Sequence, residues 1–214
     1  SLMRQTFYDA NWYADAWQFY NRNKDKTEAP QVDRALGTLA EELNGTRQFC
    51  FETKHELMAL RVNKLANEFN LNVWLKGSGY EYRRLSEIEE LNTFVILPLD
   101  YPKIPDVDSW EDALDFSLEQ LRHWDQAPDN AARMVEAGIS FALTSNDLKN
   151  RSQFRTNLLR SIERGFSKDD ALAALTTIPA EQFGLSNHGK VEKGYAANLM
   201  VTDGDYFDKD TKVL

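Results

Sequence analysis

Four short apolar runs, each of strand length and each set apart by helix-patterned sequence, constrain this chain more than any other feature. They are Gln48-Phe-Cys-Phe-Glu52, Asn72-Val-Trp-Leu-Lys76, Thr93-Phe-Val-Ile-Leu-Pro98 and Ile139-Ser-Phe-Ala-Leu-Thr144. Between the first two, Leu57, Leu60, Leu65, Ala66 and Phe69 fall on one stripe of a helix spanning 56–69. The runs begin roughly 20 to 45 residues apart, room for a helical crossover between parallel strands but too much for a tight hairpin. Strands apolar throughout belong to a parallel sheet covered on both faces, and Cys50, inside the first run, reads as a small core residue. The expected fold class is α/β.

The flanking segments read differently. Residues 4–22 carry Phe7, Tyr8, Trp12, Tyr13, Ala16, Trp17 and Tyr20 at helical spacing, which predicts a helix with a wide aromatic face for packing. A charged connector leads to a second helix over 31–43, ended by Asn44-Gly45. An acidic stretch runs from Asp100 to Asp115, with helices expected around Leu118 and over 131–137, the latter closed by Gly138. Beyond the fourth run, helices are expected over 152–164 and 168–175, the second opened by Ser167 with Asp169 and Asp170 in its first turn. Val191-Glu192 and Ala197–Thr202, separated by Lys193-Gly194, predict a short β-hairpin. The expected layout is N-terminal helices at 4–47, an α/β domain at 48–184 and a β segment at 185–214.

Composition narrows the function. Acidic residues outnumber basic ones, 34 against 25, for a net charge of −9. That balance disfavours nucleic acid and anionic membrane surfaces as partners, both of which need clustered Lys and Arg. No apolar run approaches the ~20 residues of a membrane span. One cysteine and three scattered histidines (His55, His123, His188) leave no disulfide framework, no CxxC site and no histidine-rich metal centre within the sequence. No signal peptide opens the chain, and cytoplasmic and periplasmic locations are both compatible with it. Ser1-Leu2 reads as an expression remnant, and Lys212-Val213-Leu214 as the start of a strand. Both ends are those expected of a piece of a longer protein.

An ordered set of short motifs carries a resemblance. Thr176-Thr-Ile-Pro-Ala180, Phe183-Gly184-Leu185, Gly189-Lys-Val-Glu-Lys-Gly194 and Ala197-Asn-Leu-Met-Val-Thr-Asp-Gly204 follow one another at fixed spacing. Upstream, Trp124–Asn130, Ala137-Gly138 and Phe141–Asp147 fit the same pattern. Together, over about residues 48 to 205, they resemble the carboxyl-terminal end of the amidohydrolase superfamily, in the branch around imidazolonepropionase. The resemblance implies a partial (β/α)8 TIM barrel, its parallel strands corresponding to barrel strands five to eight, with extra N-terminal helices and a short C-terminal hairpin. It also implies metal-dependent hydrolysis of non-peptide or cyclic C–N bonds in the whole protein, by water activated on a zinc-type divalent ion.

Carried over by position, the strand-five histidine falls at Glu52, the strand-six histidine at or beside Gly77, and the strand-eight aspartate at Asn146, with Asp147 one place late. Neither histidine is present. No metal ligand set is therefore expected in this chain, and the chain by itself is expected to be silent. Glu52 is read either as an inherited oxygen ligand or as a polar group at a strand mouth. Lys76 is read as an anion binder or, preferably, as a partner of Glu52. Asp147 is a base if the register slips by one, otherwise a helix N-cap. His55 is placed to face the same mouth. Gly77-Ser78-Gly79 is read as a tight turn rather than a phosphate cradle. His123 is expected to pack near Trp124, and His188 to face solvent.

Two functions follow. One is a fragment of a C–N hydrolase, completed by the remainder of a parent chain; the other is a non-catalytic scaffold or interaction module derived from a degenerate barrel. An open half-barrel exposes sheet edges, so either the N-terminal helices cover it or two copies pair as a homodimer.

Overall fold

The computed structural model describes residues 2–214. Its four strands, β1 (Gln48–Glu52), β2 (Asn72–Lys76), β3 (Phe94–Pro98) and β4 (Phe141–Thr144), form one sheet in the order β1-β2-β3-β4. β3 and β4 are parallel, with Val95 opposite Phe141 and Pro98 opposite Thr144. The α/β class and the parallel four-stranded sheet read from the apolar runs are both present.

By their contacts the residues group into two compact units, 1–50 with 61–74 and 51–60 with 75–214. In the first, α1 (Leu2–Arg22) packs on α2 (Arg34–Leu43). Asp33 caps α2, its carboxylate accepting from the Ala35 and Leu36 N–H groups at 2.9 and 3.0 Å, while its own N–H donates to the Tyr13 hydroxyl at 3.0 Å. Only part of the aromatic stripe of α1 packs: Phe7 and Tyr13 are buried, while Trp12 is 69% exposed and Tyr8 half-exposed. Phe7 stands edge-on to Phe49 and Phe69, and Tyr8 donates through its hydroxyl to Glu68 at 2.6 Å.

In the second unit, turns close on left-handed residues. α7 (Asn130–Glu136) ends at Gly138 (φ 73°), where the Ile139 N–H reaches back to the Met134 carbonyl at 2.9 Å. α8 (Gln153–Glu163) ends the same way at Gly165 (φ 106°), and Ser167 then caps α9 (Lys168–Leu175) through the Asp170 N–H at 3.0 Å. The core of this unit is Val95, Leu97, Leu99, Met134, Phe141, Leu158 and Phe166, all buried. The Asn157 amide donates to the Leu99 carbonyl at 2.6 Å, and Tyr101 and Ser161 share a short hydroxyl–hydroxyl bond. These bonds tie α8 to the chain as it leaves β3.

Three expectations need correction. β1 is not buried on both faces: Phe49 and Phe51 are half-buried while Gln48, Cys50 and Glu52 are exposed, because alternate residues point to opposite faces and only one face of β1 is covered. Cys50 therefore lies on the open face rather than in the core. Thr176–Ala180, which the resemblance implies is a turn, instead opens α10 (Thr177–Gln182), which packs beside α9 and β4. Finally, no strand forms after β4 among the described residues. A single antiparallel bridge joins Thr202 to Val213, reinforced by Leu214 N–H to Val201 carbonyl at 2.9 Å. Val191 and Glu192 take no part in it. The loop between the bridged residues is gathered by Arg155, whose guanidinium donates to the carbonyls of Tyr206, Asp208 and Thr211, and this pins the chain so that 201–203 meets 212–214.

Candidate functional site at the strand ends

Each of the four strands delivers one ionisable side chain at or just beyond its carboxyl end: Glu52, Lys76, Asp100 and Asp147. The ends of β1 and β2 are locked together by Thr53, which donates to the Lys76 carbonyl through both its N–H (3.0 Å) and its hydroxyl (2.8 Å). The Lys76 ammonium donates to Glu52 Oε1 at 3.0 Å and lies 2.7 Å from Asp147 Oδ2. β2 and β4 are not neighbours, so the loop carrying Asp147 reaches across the end of β3 to make this pair. Asp147 does so with φ 71°, a left-handed backbone that costs a non-glycine residue energy.

The electrostatics follow from burial. Only 12% of the Lys76 side chain is exposed, against 63% for Glu52 and 43% for Asp147. Burial alone lowers the Lys76 pKa, but the hydrogen bonds it donates to Asp147 and Glu52 outweigh it and hold the ammonium above its ordinary value. The Asp100 carboxyl is pushed up, first by its own desolvation and then by the negative charge of Asp147, with Lys149 opposing.

Behind the sheet end lies a second polar cluster. Glu81 is buried, and its carboxylate accepts from the Ser78 N–H (2.6 Å), the Ser78 hydroxyl (3.0 Å) and the Asn130 amide (2.7 Å). Asn130 in turn accepts from the Tyr82 N–H at 2.7 Å. The Gly77-Ser78-Gly79 turn is thus no phosphate cradle, since a carboxylate of the chain already fills it. A Cβ on Gly77 would sit 2.9 Å from Glu81 Oε1 and 3.2 Å from Val95 Cγ1, so a side chain at this position would point into this cluster, away from the Lys76 side of the strand. His123 is buried beside it, stacked on Tyr80 at 3.7 Å and sharing a 3.2 Å hydrogen bond with the Tyr82 hydroxyl. Burial, aided by the Arg83 charge, pushes its pKa down to about 4.

Of the residues singled out in the sequence, Glu52, Lys76 and Asp147 come together, and the Glu52–Lys76 pair is the one expected. Asp147 is not an N-cap, because α8 begins only at Gln153. Asn146 is exposed and donates only its N–H, to the Thr144 hydroxyl at 3.2 Å. His55 is half-buried before α3 (Glu56–Phe69), outside the ion pairs of the cluster. His123 packs on Tyr80 and Tyr82 rather than near Trp124, and His188 is half-buried with Nδ1 closed off, not turned to solvent. Asp100 was absorbed into the acidic stretch after it; the signal that marks it is an acid directly after a buried run, the same pattern as Glu52. Glu81 and Asn130 lie in unremarkable polar sequence 49 residues apart, and nothing local marks them as partners.

A family model for amidohydrolases matches residues 39–213. The chain belongs to the amidohydrolase family. No curated protein matches it. Among solved structures it is similar to an amidohydrolase from Thermotoga maritima MSB8, at 18% identity and a TM-score of 0.73, over 99% of this chain and 52% of that one. It is also similar to an uncharacterized protein at 18% identity and a TM-score of 0.51, over 82% of this chain and 43% of the other. The chain thus spans about half the length of these structures, and at such identities the likeness is one of fold. The strand-end residues of this amidohydrolase do not fit a divalent metal ion. Among the described residues no three His, Cys, Asp or Glu side chains are grouped to hold one, and an ammonium already occupies the space between the two nearest carboxylates.

Proposed function

We propose that this chain forms the carboxyl-terminal half of an amidohydrolase barrel, its strands β1 to β4 corresponding to barrel strands five to eight, in the branch around imidazolonepropionase. The whole protein would hydrolyse non-peptide or cyclic C–N bonds, with the remainder of a parent chain, or a second copy of this one, completing the mouth. The observation that carries this reading is convergence: consecutive parallel strands bring Glu52, Lys76 and Asp147 together at their carboxyl ends, the end at which barrel enzymes build their sites. Asp147 and Glu52 are the groups that could accept a proton there. Lys76 bridges the two, at 3.0 Å from Glu52 and 2.7 Å from Asp147. Asn146 and His55 stand beside the cluster as weaker candidates for substrate contact.

A second reading, a non-catalytic module, is favoured by the unsuitable metal donor set. The two are separated by assaying this chain on a panel of cyclic amides and N-acyl amines, with and without added zinc. The chain alone is expected to be silent. Turnover that scales with protein and disappears in Asp147→Asn would show instead that it is a complete catalyst.

A further inference from the structure

We propose that Lys76 is itself the resident cation of the strand-end cluster, and that it closes this cluster to divalent metal ions. The inference deepens the barrel-mouth reading above and rests on it. Three features on separate parts of the chain point the same way. The ammonium is gripped by carboxylates from two other strand ends, at 3.0 Å from Glu52 and 2.7 Å from Asp147. Its side chain is the most buried of the three, so the charge sits inside the cluster and its acidic partners line the rim. The Asp147 backbone adopts a left-handed conformation while its carboxylate reaches across β3 to this ammonium.

A cation that organises two carboxylates from non-adjacent strands does the structural work of a mouth metal with a covalently attached charge. A divalent ion would have to strip both carboxylates from Lys76 and then sit beside the positive charge it displaced. Both steps are unfavourable, the second because like charges a few ångströms apart repel strongly in a partly desolvated site. Asp100, beyond the end of β3, feels the negative charge of Asp147 and the opposing positive charge of Lys149.

The test is a calorimetric titration of zinc and of manganese into the 214-residue chain and five variants. Wild type and Lys76→Arg should show no saturable one-to-one binding. Lys76→His, which removes the permanent charge and supplies an imidazole between Glu52 and Asp147, should bind one equivalent at least about a hundredfold more tightly than wild type. Adding Asp147→Asn to it should abolish the gain, which separates the cluster from adventitious acidic sites on this anionic surface. Stoichiometric binding by wild type that Asp147→Asn removes would overturn the inference. So would a folded Lys76→His with wild-type affinity. If Lys76→His does not fold, Lys76→Met must still bind more tightly than wild type, and equal affinity there is equally fatal. Silence in the amide assay bears on the proposed function and leaves this result untouched.

Discussion

Lys76 and Gly77 are consecutive residues, yet they look onto two polar clusters governed by opposite rules. On the Lys76 side, charges from three strand ends meet where solvent still reaches the carboxylates. On the Gly77 side, Glu81, Ser78, Asn130 and Tyr82 form a dry network whose carboxylate is met by neutral donors. The inner network is largely satisfied by the chain itself, because each oxygen of its buried carboxylate is already bonded. The outer cluster keeps accessible oxygens. In this molecule, then, burial with complete hydrogen bonding marks structure, and partial exposure with unbalanced charge marks the place for chemistry.

The contrast can be broken at either cluster. The largest effect is expected from Glu81→Ala, which leaves the Ser78 N–H and the Asn130 amide buried and unpaired; urea unfolding should show a loss of about 3–4 kcal/mol. Acid is the next probe. The folded-state pKa of His123 lies near 4 against an unfolded value near 6.5, so the unfolded chain binds the extra proton between those pH values. Stability should be full above pH 6.5 and decline by about 2–3 kcal/mol as pH falls toward 4, a slope that His123→Phe should flatten in pH-dependent unfolding. Gly77→Ala is expected to cost about 1–2 kcal/mol, because the added methyl group presses on Glu81 and on the branched Val95.

The smallest effect belongs to the outer cluster. Lys76→Met should change thermal stability by about 1 kcal/mol or less, since its partners are solvated and exposed pairs contribute little. Its pH signature is nonetheless distinct. A raised lysine pKa adds stability that is complete below about 10.5 and lost as pH rises through the folded-state value, so only wild type should show this alkaline loss. A Lys76→Met penalty larger than that of Glu81→Ala would invert the comparison and make the outer cluster the structural one.

Much of this was legible in the linear sequence, and for a local reason. Strand runs, the stripe of α3, the Ser167 cap and the stop at Gly138 are written in spacings of one to four residues, the range over which backbone geometry acts. The family was legible too, because its motifs follow one another in fixed order, and so was the Glu52–Lys76 pair, since both residues close neighbouring strands. Burial of β1 on one face only could not be read from Gln-Phe-Cys-Phe-Glu, because which faces of a strand are covered is decided by the segments packed against it. The late hairpin did not form as expected: Thr202 pairs with Val213 instead, and the loop between them is held by Arg155, far away in sequence, through three carbonyls.

By itself the sequence determined the α/β class, the order of the four strands and membership of the amidohydrolase family. Only the tertiary structure decided that Asp147 crosses β3 to join Lys76, that Gly77 faces Glu81 and that Cys50 lies on the open face. Those outcomes depend on which strand ends become neighbours and which face each residue takes. Both are set by packing among distant segments, and the free energy of that packing is written in no single stretch of the chain.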